Sequence, residues 1–224
     1  NCGLVVAGGK SERMGPDVDK AFLSLGSRPV VIYSLLAFEK CAEIDEVVLV
    51  VRKERLESAR CAAQMFGCKK VVRIVAGGNQ RQQSVAKGLA AVSENVEIVA
   101  VHDGARPCVT PALITETIKS ARHFGSGVAA VKITDTVKSS EKGLVINQTI
   151  DRAKLWRAQT PQTFRKDLLL QAFEFVEKKK IKITDEASAV ELVCNDVRIV
   201  NSITSNIKIT TPDDLVLAAA LMRL

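Results

Sequence analysis

Five short runs rich in β-branched residues recur along the chain, and four of the gaps between and after them carry helical periodicity. Strands are expected at residues 4–7, 47–51, 71–75, 98–102 and 128–133, with amphipathic helices at 30–40, 54–66, 80–93 and 111–122. Parallel strands need a crossover of a dozen or more residues, and a helix is the usual one. Strand–helix alternation at this spacing therefore predicts right-handed βαβ units and a mainly parallel sheet with helices on both faces. Two helix starts are marked by threonine followed by proline: Thr110-Pro111 opens the helix at 111–122, and Thr211-Pro212 opens a further, final one. Threonine is a good N-cap, and proline suits the first helical turn because its missing N–H is one no helix could use there.

The chain has 224 residues and 47% hydrophobic content, enough to bury a core without staples. No repeat, low-complexity linker or composition break divides it, so one domain over residues 1–224 is expected. No apolar stretch approaches the roughly 20 residues a membrane helix needs. The opening Asn1-Cys2-Gly3-Leu4-Val5-Val6-Ala7 reads as a first buried strand, with no targeting signal. Six scattered cysteines form no CxxC pair, and only His102 and His123 supply imidazole, which argues for free thiols and against zinc. The expected location is cytoplasmic, or a plastid-type stroma if a transit peptide has been removed. The net charge of +7 is compatible with nucleic acid or with a polyphosphate substrate. One Trp and one Tyr offer almost no platform for stacking bases, which disfavours nucleic acid; no membrane partner is expected either.

The first strand leads into Ala7-Gly8-Gly9-Lys10-Ser11-Glu12-Arg13-Met14-Gly15, with Lys20 beyond. Ligands of open α/β sheets bind past the carboxyl ends of strands. Adjacent glycines let backbone N–H groups approach an anion, and Arg13 and Lys20 add positive charge. A Walker loop would need glycine at position 4, which is Leu4, and a dinucleotide fingerprint would need glycine at position 11, which is Ser11. A second pair, Gly77-Gly78-Asn79-Gln80-Arg81, precedes a helix whose amides, with the side chains of Arg81 and Ser84, suit the edge of a small base. Val101-His102-Asp103-Gly104-Ala105-Arg106-Pro107 places a carboxylate at a strand's end, where it can hold Mg²⁺ with phosphate oxygens and water. Arg106 is a possible structural partner for that carboxylate, and His102 reads as a satisfied strand-end histidine. Residues 135–159 break the strand–helix rhythm, with hairpin-like alternation around Glu141-Lys142-Gly143. Such an excursion is a surface hairpin or an arm that pairs with a second subunit.

AGGKSERMG followed by Lys20 resembles the signature loop of sugar-phosphate nucleotidyltransferases, except that Asp19 stands where a proline is usual and could pair in part with Lys20. VHDGARP, with GGNQRQQSV, DTVK, TIDR, LWRAQTPQ, TDEASA and NIKITTPDDL in order, is similar to the 2-C-methyl-D-erythritol 4-phosphate cytidylyltransferase family over residues 3–215. Ser205, where some members carry an acid, is a second departure. The resemblance implies a Rossmann-like nucleotidyltransferase sheet with a protruding β-arm at 135–159, exchanged in a homodimer. It implies transfer of CMP from CTP to 2-C-methyl-D-erythritol 4-phosphate with Mg²⁺, or another divalent cation, as cofactor.

On that resemblance Arg13, Lys20, Asp103 and Lys208 are the catalytic residues and Asp103 the metal ligand. Ala7, Gly8, Gly9, Gly78, Asn79, Arg81, Ser84 and Gly104 would bind CTP. Arg106, Thr136, Arg152, Thr160, Thr184 and Lys208 would bind the acceptor, with Thr136 and Arg152 reaching the site of the other subunit. A ribitol-5-phosphate cytidylyltransferase shares the first loop, the HD motif and NIKITTP, but normally lacks the IDRAKLWRAQTPQ and TDEASA sequences. A non-catalytic nucleotide-binding protein on the same scaffold would be expected to have lost Arg13, Lys20 or Asp103.

Overall fold

The computed structural model describes residues 1–9, 19–141 and 143–224. In chain order the elements are β1 (Cys2–Val6), β2 (Ser24–Leu25), β3 (Arg28–Pro29), α1 (Val30–Lys40), β4 (Glu46–Val51), α2 (Leu56–Met65) and β5 (Val71–Ala76). There follow α3 (Arg81–Leu89), β6 (Ile98–Asp103), α4 (Pro111–Phe124), β7 (Ser126–Lys132), β8 (Val137–Ser139) and β9 (Gln148–Ile150). The chain continues through β10 (Trp156–Arg165), α5 (Lys166–Lys179), α6 (Glu186–Val190), β11 (Ile199–Asn201) and α7 (Pro212–Met222).

Seven strands form the central sheet in the order β11-β7-β10-β6-β1-β4-β5. All neighbours run parallel except β10, which is antiparallel to both β6 and β7. The mainly parallel α/β sheet expected from sequence is thus present, with β10 inserted into it. Alternation along β4 shows why helices cover both faces. Val47, Leu49 and Val51 enter one apolar cluster with α1, α2 and α4, whereas Val48 and Val50 enter the other with α3, α5 and α6. Close approach of α3 to the sheet rests on Gly88, where a Cβ would lie 2.4 Å from the Leu4 side chain. A third, smaller cluster joins Leu25, Val30 and Tyr33 to Ile209 and Ala218, seating α7 beside the start of α1.

Helix ends follow the sequence signals. The Thr110 hydroxyl accepts from Leu113 N, and Gly125 closes α4 at φ 87°, a left-handed value that favours glycine. The basic run at 178–180 ends α5, with Lys180 as its left-handed cap.

The excursion expected at 135–159 divides in the structure. Strands β8 and β9 pair with each other as a separate two-stranded sheet, Val137 opposite Ile150. Trp156, Arg157 and Ala158, by contrast, pair with Lys132, Val131 and Ala130 of β7, so the last part of that range belongs to the main sheet. Among the described residues no helix is long and apolar enough to cross a membrane.

Candidate active site

The chain runs from β1 to β4 on one side of the sheet and later to β6 on the other, so the strand order reverses between β1 and β6. Ligand clefts in open α/β sheets form at such a reversal, beyond the carboxyl ends of the strands. In-register pairing sets Val6 opposite Asp103, and Gly104 N donates to Val6 O at 2.9 Å. A cleft of about 230 Å³ opens here, lined by Ala7, Gly9, Lys20, Arg81, Asp103 and Lys208. Six residues placed in the site from sequence are therefore brought together around the end of β6, and Ser84 lines the same cleft. Arg13 lies outside the described residues.

Asp103 is the hub. Its Oδ1 accepts from Arg81 Nε at 3.1 Å, and its Oδ2 lies 2.8 Å from Lys208 Nζ and 3.6 Å from Arg106 Nε. Burial alone would raise its pKa, but Arg81, Lys208 and Arg106 together hold the carboxyl well below its usual range. Asp103 is thus both an ionised group facing the cleft and the structural partner of Arg106. The remaining reach of Arg106 goes to Asn206 O, 2.8 Å from Nη1.

Behind the carboxylate runs a buried chain of hydrogen bonds. Asp103 N donates to Thr160 Oγ1 at 3.0 Å, which leaves the Thr160 hydroxyl proton for His102 Nδ1, also at 3.0 Å. His102 Nε2 then donates to Arg106 O at 3.3 Å. This pattern requires a neutral imidazole, and burial pushes the His102 pKa down to about 3 despite the attraction of Asp103. His102 is the satisfied strand-end histidine that the sequence led us to expect. Thr160, assigned to the acceptor from sequence, is buried in this chain and holds β10 against β6.

Two residues assigned to the base are likewise engaged with the protein itself. Ser84 Oγ accepts from Gly78 N at 3.0 Å and donates to Gln80 O at 3.1 Å, so it shapes the Gly78 turn from within α3. Arg81 presents Nη1 and Nη2 to the two oxygens of Glu186 at 2.5 and 2.9 Å. Asn79 is exposed beside this turn, while Gly8 and Gly104 follow the ends of β1 and β6 and are not among the residues that line the cleft. Asp19 is buried 3.5 Å from Arg55 Nε, and burial raises its pKa against the pull of Arg52 and Arg55.

Of the acceptor residues from sequence, Arg106, Thr160 and Lys208 meet around Asp103, and the other three stand in solvent. Thr136, Arg152 and Thr184 are exposed, and Arg152 donates to Thr134 O at 2.6 Å at the base of β8 and β9. Gln162, Asn206 and Glu186 were given no role from sequence although all three lie in quoted motifs. Their signal was polarity in segments that the fold then buries.

No group of three or more His, Cys, Asp or Glu side chains gathers among the described residues. Among the described residues, therefore, the cleft offers no cage of metal ligands. One ionised carboxylate facing a cationic cleft does fit Mg²⁺, which commonly takes one or two carboxylates and completes its shell with phosphate oxygens and water.

A family model described as 2-C-methyl-D-erythritol 4-phosphate cytidylyltransferase matches residues 2–224. The relative of that name in Alkaliphilus oremlandii is 39% identical, over 98% of this chain and 94% of its own length. Among solved structures, the 4-diphosphocytidyl-2C-methyl-D-erythritol synthase of Anaerococcus prevotii matches with a TM-score of 0.87 at 29% identity, covering 100% of this chain and 98% of that one. The 2-C-methyl-D-erythritol 4-phosphate cytidylyltransferase of Thermus thermophilus matches with a TM-score of 0.80 at 29% identity, covering 99% and 98%.

Proposed function

The chain belongs to the 2-C-methyl-D-erythritol 4-phosphate cytidylyltransferase family, and from that membership we propose how its own residues carry out the reaction. It is a nucleotidyltransferase that moves the CMP half of CTP onto 2-C-methyl-D-erythritol 4-phosphate, giving 4-diphosphocytidyl-2-C-methyl-D-erythritol and pyrophosphate. The observation that carries the residue assignment is the convergence of Lys20, Asp103 and Lys208 on one cleft at the strand reversal.

A phosphate oxygen of the acceptor attacks the α-phosphorus of CTP in line, and pyrophosphate leaves. The attacking phosphate is already ionised near neutral pH, so no general base is needed. What remains is positioning and neutralisation of the charge that develops at phosphorus. Lys20, together with Arg13 of the same loop, supplies fixed positive charge to the triphosphate. Lys208, which lines the same cleft beside Asp103, faces the incoming phosphate. Asp103 would hold Mg²⁺, which when bound neutralises triphosphate charge and orients its oxygens. Backbone groups of Ala7, Gly8, Gly9, Gly78, Asn79 and Gly104 line the cytidine, while Ser84 and Arg81 set the shape of that wall.

The acceptor half is completed in a homodimer. Thr136 and Arg152, at the base of the β8–β9 arm, reach the phosphate bound by the partner subunit, with Arg106 and Thr184 bordering that site. The free cysteines suit a reducing, cytoplasmic setting.

Pyrophosphate release with CTP and each candidate polyol phosphate tests this reading. Turnover is expected with 2-C-methyl-D-erythritol 4-phosphate and not with ribitol 5-phosphate. Turnover with ribitol 5-phosphate alone, or nucleotide binding without turnover, would overturn it.

A further inference from the structure

Glu186 is fully buried, yet it is a carboxylate at the start of a five-residue helix. Burying a charge is costly unless it is paired and hydrogen-bonded, and Glu186 is paired in the strongest available geometry, two parallel N–H···O bonds to one guanidinium. The pair does not float. Gln162 of β10 pins α6 by accepting from Ala187 N at 2.9 Å and donating to Asp185 Oδ2 at 2.8 Å. Gln162 itself lies opposite Val101, two residues before Asp103. A continuous path therefore runs from β10 through α6 and Glu186 to Arg81, and from Arg81 Nε to Asp103 Oδ1.

This arrangement makes the two oxygens of Asp103 unequal. Oδ1 is held by a guanidinium whose other two nitrogens are already taken. Oδ2 faces Lys208, a point charge on a flexible stem that is about one-third exposed, and Arg106 Nε, at 3.6 Å, is too far from it to hydrogen-bond. A cation arriving with a triphosphate can displace an ammonium far more readily than a locked fork.

We propose that Glu186 is a positioning residue that ties the Arg81 fork to α6, so that Arg81 holds Asp103 through one oxygen only and the other remains exchangeable for a metal ion. The inference rests on the reading of Asp103 as the metal-holding carboxylate. Without the Glu186 charge, Arg81 turns both N–H edges onto Asp103 and competes with the cation for it. Outer partners of this kind typically change metal affinity by roughly 10–100-fold.

The test is calorimetric binding of CTP as Mg²⁺ is titrated, with thermal melting alongside, on Glu186→Gln and Asp103→Asn. Glu186→Gln should need on the order of 10–100-fold more Mg²⁺ than the unaltered protein for the same gain in CTP affinity. An unchanged Mg²⁺ titration with only a lowered melting point would overturn the proposal and leave Glu186 as a staple between α3 and α6. If Glu186→Gln does not fold, Glu186→Asp, whose shorter side chain cannot keep both bonds of the fork to Arg81, is judged by the same criterion. Asp103→Asn separates this inference from its premise. If CTP binding by Asp103→Asn responds to Mg²⁺ as the unaltered protein does, the reading of Asp103 falls. If Asp103→Asn loses that response and the Glu186 variant keeps it, the role of Glu186 alone falls.

Discussion

The end of β6 and the β8–β9 arm both carry residues suited to phosphate, but their surroundings are opposite. Asp103 is buried among Arg81, Arg106 and Lys208, and each of those is tied to another element or to the carboxylate itself. Thr136 and Arg152 stand on an arm whose tip exposes Leu144, Val145 and Ile146. The first region is organised by the packing of one chain. The second has its phosphate-suited groups in solvent, where the proposed homodimer would have them meet a second copy.

The largest effect that would break this contrast is expected at the cleft. Lys20→Ala should lower kcat/KM by roughly 10²–10³, about 3–4 kcal/mol of transition-state stabilisation, with the melting temperature nearly unchanged. Asp103→Asn should lose comparable activity and also melt earlier, because three cations are left around a neutral amide. Steady-state kinetics beside thermal melts decide it; near-normal turnover in Lys20→Ala removes that lysine from the reaction.

Next comes the arm. Arg152→Ala removes one charge-assisted contact and should cost about 1.5–3 kcal/mol in kcat/KM without affecting the fold. Mixed with Lys20→Ala after verified subunit exchange, it should recover activity, since one site of each mixed dimer takes intact Lys20 and intact Arg152 from different chains. Recovery should not exceed about half of the unaltered activity per mixed dimer by that site count. Confirmed exchange with no recovery would place Arg152 in its own chain's site or in none.

A smaller effect belongs to His102. Its folded pKa, about 3, lies below the ordinary 6.5, so between those values the unfolded chain binds a proton that the folded chain refuses. Its contribution to stability is complete above pH 6.5 and is lost as pH falls toward 3, at up to about 1.4 kcal/mol per pH unit. Urea unfolding between pH 7 and pH 5 should show that slope, and His102→Gln should flatten it. The smallest effect is at Lys138, whose ammonium donates to Thr149 across the arm. Lys138→Ala should change unfolding by no more than about 0.5 kcal/mol, as exposed substitutions do. A larger loss would mean that the arm is packed more firmly than its exposure indicates.

The same contrast explains what could be read in the sequence. Helix α1 was expected at residues 30–40 and occupies those residues, because eight of its side chains are buried and the apolar pattern is dense. Strand β10 was not expected, although it is the longest strand. Its buried stretch contains Gln159, Thr160, Gln162 and Thr163, and a reading based on apolar alternation passes over a strand that is buried by hydrogen bonding instead. The site shows a similar division. Asp103 was legible as a carboxylate at the end of an apolar strand. Sequence gave the types of Arg81, Ser84 and Thr160 but not their partners, and all three turned out to be engaged by the protein around them.

The insertion of β10 between β6 and β7 has a consequence for how the protein is made. Residues 98–132 leave the ribosome before residues 156–165, so the inner edges of β6 and β7 exist before the strand that will separate them. Synthesis proceeds at roughly 5–20 residues per second, which leaves those edges without their final neighbour for a few seconds. Unpaired strand edges invite pairing with other chains. The polar residues of β10 thus close a slot in the middle of the sheet, and the peptide N–H of Asp103 gains its hydroxyl partner in the same event.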